Sequence, residues 1–149
     1  MLSFKFFKKK TYHYKKNLFT WTLTTFIFLL NINLKADWKK ITQSSNGQSF
    51  YVDMETIIES KGFVYFWELI DYKKEDEYGD KSAKIYIEAD CIKYKFKWVK
   101  LSYHKEAMAK DEVKVQSPSN LVADWQFPHQ NSTSMIVLDF VCKNKGITL

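Results

Sequence analysis

Between residues 82 and 91 apolar and polar positions alternate. Ala83, Ile85, Ile87, Ala89 and Cys91 interleave with Lys84, Tyr86, Glu88 and Asp90. A period of two predicts a half-buried strand with Cys91 on its apolar face. Whatever bonds to Cys91 must come from the element covering that face. Residues 63–72 are apolar on both faces, with Phe63, Tyr65, Trp67 and Leu69 on one and Val64, Phe66, Ile70 and Tyr72 on the other. That pattern predicts a central strand. Glu68 interrupts it and reads first as a polar group satisfied at an edge or beside a lysine, ahead of a buried functional carboxylate. Residues 50–53 make a shorter strand after the turn signal Asn46-Gly47, and residues 38–41 offer another. Residues 95–104 start with Phe96 and Trp98 on one face and change phase at Val99, Leu101 and Tyr103. The phase change predicts a bulge near Trp98-Val99 or a move between packing environments.

The connections follow from turn chemistry. The charged segment 73–81 reads as a hairpin loop in which Gly79 supplies the turn. Residues 53–60 read as one helical turn with Asp53 as N-cap. Residues 104–124 have no clear period. Within them 113–116 suggests a short strand and 117–120 a loop. The run 132–142 fits two templates. Ile136, Leu138, Phe140 and Cys142 alternate as a strand would, whereas Met135, Leu138 and Cys142 share a helical face. The pattern as a whole predicts one domain, mostly antiparallel sheet.

Charge divides the chain. Residues 1–36 hold seven lysines and no acid, and the remaining residues sum to −1. A nucleic-acid-binding domain needs its positive charge on the folded part, so no nucleic-acid partner is expected. The leader has a basic start, an apolar stretch over 18–30 and a small residue, Ala36, before Asp37. This is the plan of a secretory signal peptide, with cleavage expected between Ala36 and Asp37 and a domain over 37–149. The rival reading is an uncleaved anchor. The stretch is short for a transmembrane span, so none is expected after cleavage. An exported chain meets oxidising conditions, and Cys91 and Cys142, the two cysteines of the sequence, read as a disulfide. Closing a loop of that length is worth about 4 kcal/mol on the chain-entropy model.

Candidate chemistry is sparse. All basic residues are lysine, which removes the bidentate guanidinium fork. His104 and His129 have no metal-ligand spacing and read as surface or loop residues. Asp76 and Glu77 lie in the charged loop, and there is no glycine-rich phosphate loop or nucleophile elbow. No catalytic residue, metal or cofactor is expected. Trp38, Trp67, Trp98 and Trp125 read as core before they read as a stacking platform. Lys93, Lys95, Lys97 and Lys100 line one strand region and offer a cationic stripe for an acidic partner, against the simpler reading of a solvated face.

A set of short motifs in order resembles the bacterial surface-adhesin protein E family. These are Phe50-Tyr51-Val52-Asp53 with Ile57; Phe66-Trp67-Glu68-Leu69 ending in Asp71-Tyr72; Ser82-Ala83-Lys84 leading to Asp90-Cys91; Tyr103 and Met108; Trp125 with Pro128; and Val141-Cys142. The resemblance implies an exported α+β domain in which a disulfide ties a C-terminal helix to a small antiparallel sheet. It turns the 132–143 region towards helix. It also implies a non-enzymatic binding module that attaches to an extracellular-matrix or envelope protein, since an adhesin of the family binds host proteins such as laminin and vitronectin. The sequence has no lipid-attachment cysteine at the leader's end, which keeps open a periplasmic structural or stress-related protein. The expected location is therefore the periplasm or the cell surface.

Overall fold

The computed structural model describes residues 36–146, so the leader expected over 1–36 lies, but for Ala36, outside the described residues. Six strands form one antiparallel sheet: β1 Trp38–Gln43, β2 Ser49–Asp53, β3 Ile58–Ser60, β4 Phe63–Asp71, β5 Ser82–Asp90 and β6 Lys95–His104. Their order is β1-β2-β4-β5-β6, with β3 also paired to β4. The strand with two apolar faces, β4, is central, as its pattern requires.

One edge of β4 is shared. β2 pairs with its last residues, from Val52 opposite Glu68 to Ser49 opposite Asp71. β3 pairs with its start, from Ile58 opposite Tyr65 to Ser60 opposite Phe63. In the gap lies a 3-10 turn, Met54–Thr56, capped by the Asp53 carboxylate, which accepts from the Glu55 N–H. Thr56 Oγ1 accepts the Trp67 N–H at 3.2 Å and so satisfies the backbone donor left between β2 and β3. The helical turn expected over 53–60 is thus three residues long. Its remainder returns to the sheet because β4 still has backbone to pair.

The expected bulge is present. Tyr86 lies opposite Lys100 and Ile87 opposite Trp98, which leaves Val99 as the extra residue. The 73–81 hairpin turns at Gly79 with φ 77°, a conformation glycine adopts at no steric cost. Asp76 Oδ1 accepts the N–H groups of Tyr78 and Asp80 there. The short strand expected over 113–116 reduces to one bridge between Gln116 and Leu101.

The C-terminal segment is a helix, Asn120–Ala123 (α1) being a short helix before it and Thr133–Asn144 (α2) the long one. Ser132 caps α2 by accepting the Met135 N–H at 3.1 Å. Val137, Leu138, Val141 and Cys142 are buried, whereas Ile136 is 43% exposed. Adjacent buried residues repeated one turn later fit a helix face and exclude the strand template, which would bury Ile136. α2 packs on the sheet face formed by Phe50, Val52, Val64, Phe66, Ile85, Ile87, Ala89 and Cys91, and this is the core. Cys91 and Cys142 are joined in a disulfide with 5.7 Å between their Cα atoms. The element that covers the apolar face of β5 thus supplies its partner.

Candidate functional site

The sheet face opposite α2 carries two distinct regions. At one end the chain after β6 folds across it and buries polar side chains. Ser82 Oγ donates to the Glu106 carbonyl at 2.7 Å and accepts the Ala109 N–H at 2.9 Å. Asp71 accepts the Met108 N–H at 2.6 Å. Met108 and Ala109 have φ of 59° and 49°, left-handed conformations that cost L residues about 1 kcal/mol each. Those two hydrogen bonds hold them there.

His104 sits under this strap and is 4% exposed, so the surface or loop placement expected from sequence is wrong. Burial is tolerated because both ring nitrogens are occupied. Nε2 lies 2.9 Å from Ser102 Oγ, and Nδ1 lies 3.1 Å from Asp111 Oδ1. Burial alone pushes the Asp111 carboxyl up, but hydrogen bonds from the backbone N–H of Lys105, its own N–H, His104 and the Glu106 N–H outweigh it. The carboxyl ends below its usual value. The residue types and distances are those of a Ser-His-Asp triad. Ser102, however, is 3% exposed, and its hydroxyl is engaged by His104 within the buried layer under the strap rather than facing an open cleft.

The other end of the face is an aromatic band. Phe63 stacks on Trp125 with ring centroids 5.6 Å apart, Tyr65 lies 6.1 Å from Tyr86, and Tyr86 lies 5.1 Å from Trp67. Burial, then the Tyr65 phenol, raises the Tyr86 hydroxyl above its ordinary value. Lys84 Nζ reaches over both Trp67 (5.2 Å) and Trp38 (5.9 Å). Trp125 folds back over β6, where Lys95 and Lys97 lie 4.2 and 4.7 Å from its ring. Three of the four tryptophans among the described residues are therefore half-buried on the face that α2 does not cover. Trp98 packs against the core on the other side.

Of the four lysines singled out from sequence, Lys95, Lys97 and Lys100 share this face, opposite Asp90, Glu88 and Tyr86. Lys97 is paired to Glu88 at 3.2 Å. Lys93 lies in the turn after β5, where its N–H donates to Asp90. Sequence missed Lys84, which the β5 alternation places on the same face as the band.

The covered face contains the second feature. A cavity of about 100 Å³ lies between the sheet and α2, with the Glu68 carboxyl in its wall. Glu68 is 7% exposed and has no lysine beside it among the described residues, against the sequence expectation. The reason is positional: residues 64, 66, 68 and 70 share the face that α2 covers. Burial raises its carboxyl from 4.5 to about 7. Asp90 is not in this cavity, and no second carboxylate among the described residues lines it. Among the described residues no group of three or more His, Cys, Asp or Glu is placed to hold a metal, and no helix is long and apolar enough to cross a membrane.

Comparison with known proteins agrees with this architecture. A crystal form of Haemophilus influenzae protein E superimposes with a TM-score of 0.58 at 16% identity, covering 76% of this chain and 93% of that one. A second structure of Haemophilus influenzae protein E gives 0.56 at 15% identity over 78% and 92%. Protein E from non-typeable Haemophilus influenzae gives 0.52 at 15% identity over 77% and 81%. At such identity these likenesses establish the fold. Comparison with curated protein sequences returns no match. The family model for surface-adhesin protein E matches residues 38–143, from the first strand through the second cysteine, and the chain belongs to that family.

Proposed function

We propose that this chain is an exported, non-enzymatic binding module of the bacterial envelope that attaches to an extracellular-matrix or envelope protein. The observation that carries this reading is the aromatic band with its lysines on the sheet face that α2 leaves free. Half-buried Trp and Tyr side chains offer large apolar area at little entropic cost, and amphipathic aromatics are enriched at protein interfaces. Lys84, Lys95 and Lys100 surround the band and favour a partner with acidic groups beside an apolar patch.

Export rests on the leader. Its basic, apolar and small-residue plan places cleavage between Ala36 and Asp37. Asp37 itself is tied to the folded part. The Asp37 N–H donates to Asp53 at 3.1 Å, and its carbonyl accepts the Met54 N–H at 3.0 Å.

The test has two arms. Protease shaving of intact cells removes a surface protein and spares a periplasmic control. Solid-phase binding to matrix proteins then compares the native protein with a Trp67→Ala/Lys84→Ala variant of unchanged far-UV spectrum and cooperative urea unfolding. Removal by protease, with binding reduced at least tenfold in the variant, is expected. Survival of the protein until the outer membrane is broken would overturn the surface role, and equal binding by the variant would overturn the assignment of the face.

A further inference from the structure

The cavity under α2 plays no part in the proposed attachment, since it opens on the other side of the sheet. Its walls are mostly apolar: Phe50, Phe66, Phe96 and Trp98 line it together with aliphatic side chains and Glu68, and Leu138 of α2 closes it on the helix side. Among the lining residues Glu68 is the one titratable group, and no cation lies within salt-bridge distance of it among the described residues. No hydrogen bond to its carboxyl is formed by any described residue. No side-chain oxygen among the described residues is both sealed from water and unpartnered, so the Glu68 carboxyl, 7% exposed, keeps contact with the cavity's opening.

The cavity is also not sealed. Phe96, Trp98, Gln126 and Ser134 are half-buried and form its mouth. Its volume, about 100 Å³, is two-thirds of the roughly 150 Å³ that suffices for benzene in an engineered apolar cavity. A linear chain of about five heavy atoms is of the right size. An anion is disfavoured by the carboxyl, and a polyol would leave most of its hydroxyls without partners among the aromatic rings. A cation on an apolar stem satisfies both parts of the site. Its charge meets the carboxylate, its methylenes meet the rings, and the ring faces are themselves attractive to an ammonium.

We propose that this cavity is a binding site for a primary ammonium group carried on a short apolar chain, with Glu68 as its counter-ion. The burial that raises the Glu68 carboxyl to about 7 leaves a substantial ionised fraction near neutral pH, so ionising it to meet the cation adds little penalty there. The same chemistry is presented by a free alkylamine and by the end of a lysine side chain of a partner protein.

The test is a titration of the ¹⁵N-labelled, oxidised protein with n-butylammonium chloride at pH 7.5, matched in ionic strength with potassium chloride. n-Butanol, which keeps the chain and lacks the charge, is the control. Saturable shifts are expected at residues 66–70, at the Trp98 indole N–H and at residues 134–138. Glu68→Gln should weaken butylammonium at least tenfold and leave butanol unchanged. Ser134→Phe, at the mouth, should abolish the shifts for both, and it keeps the test open should the Glu68 variant fold poorly. Equal affinity for butanol and butylammonium in the native protein, no saturable shift with butylammonium, or undiminished binding by Glu68→Gln would each overturn the assignment. Titration with Nα-acetyl-lysine amide separates the two sources. Shifts at the same residues extend the site to lysine side chains, and their absence confines it to free amines.

Discussion

Replacing Glu68 by Gln should stabilise this protein, and by an amount set by pH. The folded carboxyl titrates at about 7 rather than 4.5 because α2 and the surrounding rings remove it from water. Between these two values the unfolded chain has released the proton and the folded chain still holds it. The folded state therefore binds more protons, and stability falls as pH rises through that window. The fall begins near pH 4.5 and levels off above 7, and its size for this displacement is about 3 kcal/mol. Gln has the same shape and does not titrate. Native protein and Glu68→Gln should thus be close in stability near pH 4.5, and the variant should gain on the native protein up to pH 8. Urea unfolding of both oxidised proteins, at half-unit steps from pH 4.5 to 8, measures this as a difference in which the other titrating groups cancel. Equal m-values are required for the comparison. A stability difference that does not change with pH, or a variant less stable than the native protein at pH 8, would refute the reasoning.

Other expectations are more local. Cys142→Ser should lose about 4 kcal/mol, the entropy of a closed loop of 51 residues, as read by urea midpoint under non-reducing conditions. His104→Ala leaves the buried Ser102 hydroxyl without its partner, and a loss of about 2 kcal/mol is expected. Hydrogen exchange should show residues 105–111 opening before the rest of the sheet. Because the Asp111 carboxyl lies below its ordinary value of 3.8, its tie to the strap should persist down to that pH and fade as pH falls further. If processing falls after Ala36, the new α-ammonium of Asp37 lies against Asp53. A chain starting at Asp37 should then be more stable by about 1 kcal/mol than the same chain with that terminus acetylated.

The elements that could be read from sequence are those whose signal is periodic and local. The alternation of residues 82–91 located β5 and the face of Cys91, and the phase change after Trp98 located the bulge that leaves Val99 unpaired. The C-terminal run stayed ambiguous because Leu138 and Cys142 satisfy both periods. What decides it is Val137, buried beside an exposed Ile136, together with Ser132 as cap. β3 escaped because three residues carry no period, and it exists only to pair the free edge of β4. The strap escaped for a different reason. Its anchors are Asp71 and Ser82, more than twenty residues away, and a long-range hydrogen bond leaves no local trace. The burial of His104 follows from the strap and was hidden with it. For the candidate face, alternation indicated which lysines share a side. It could not show that Trp125, from an irregular segment, folds back among them. Glu68 is the instructive case. Its spacing from Phe66 and Ile70 put it on the face α2 covers, and only the fold shows that no lysine among the described residues pairs with it there.

The staple and the buried carboxyl act on one small core in opposite directions, and their sizes can be compared. The disulfide adds about 4 kcal/mol and ionisation of Glu68 removes about 3 above neutral pH. Domains of this size usually have 5–15 kcal/mol in all. For a domain at the low end of that range, removing the staple at pH 8 leaves only about 1 kcal/mol, whereas at pH 5 the carboxyl is still largely neutral and the same protein keeps more of its stability. Cys142→Ser should accordingly be fully folded at pH 5 and show a measurable unfolded fraction at pH 8, and adding Glu68→Gln should restore it at pH 8. Near-UV circular dichroism of the single and double variants at the two pH values reads this directly. Restoration by the second substitution is the discriminating result, since a staple that merely orders α2, or a carboxyl that ionises freely in water, would leave the double variant as unfolded as the single one.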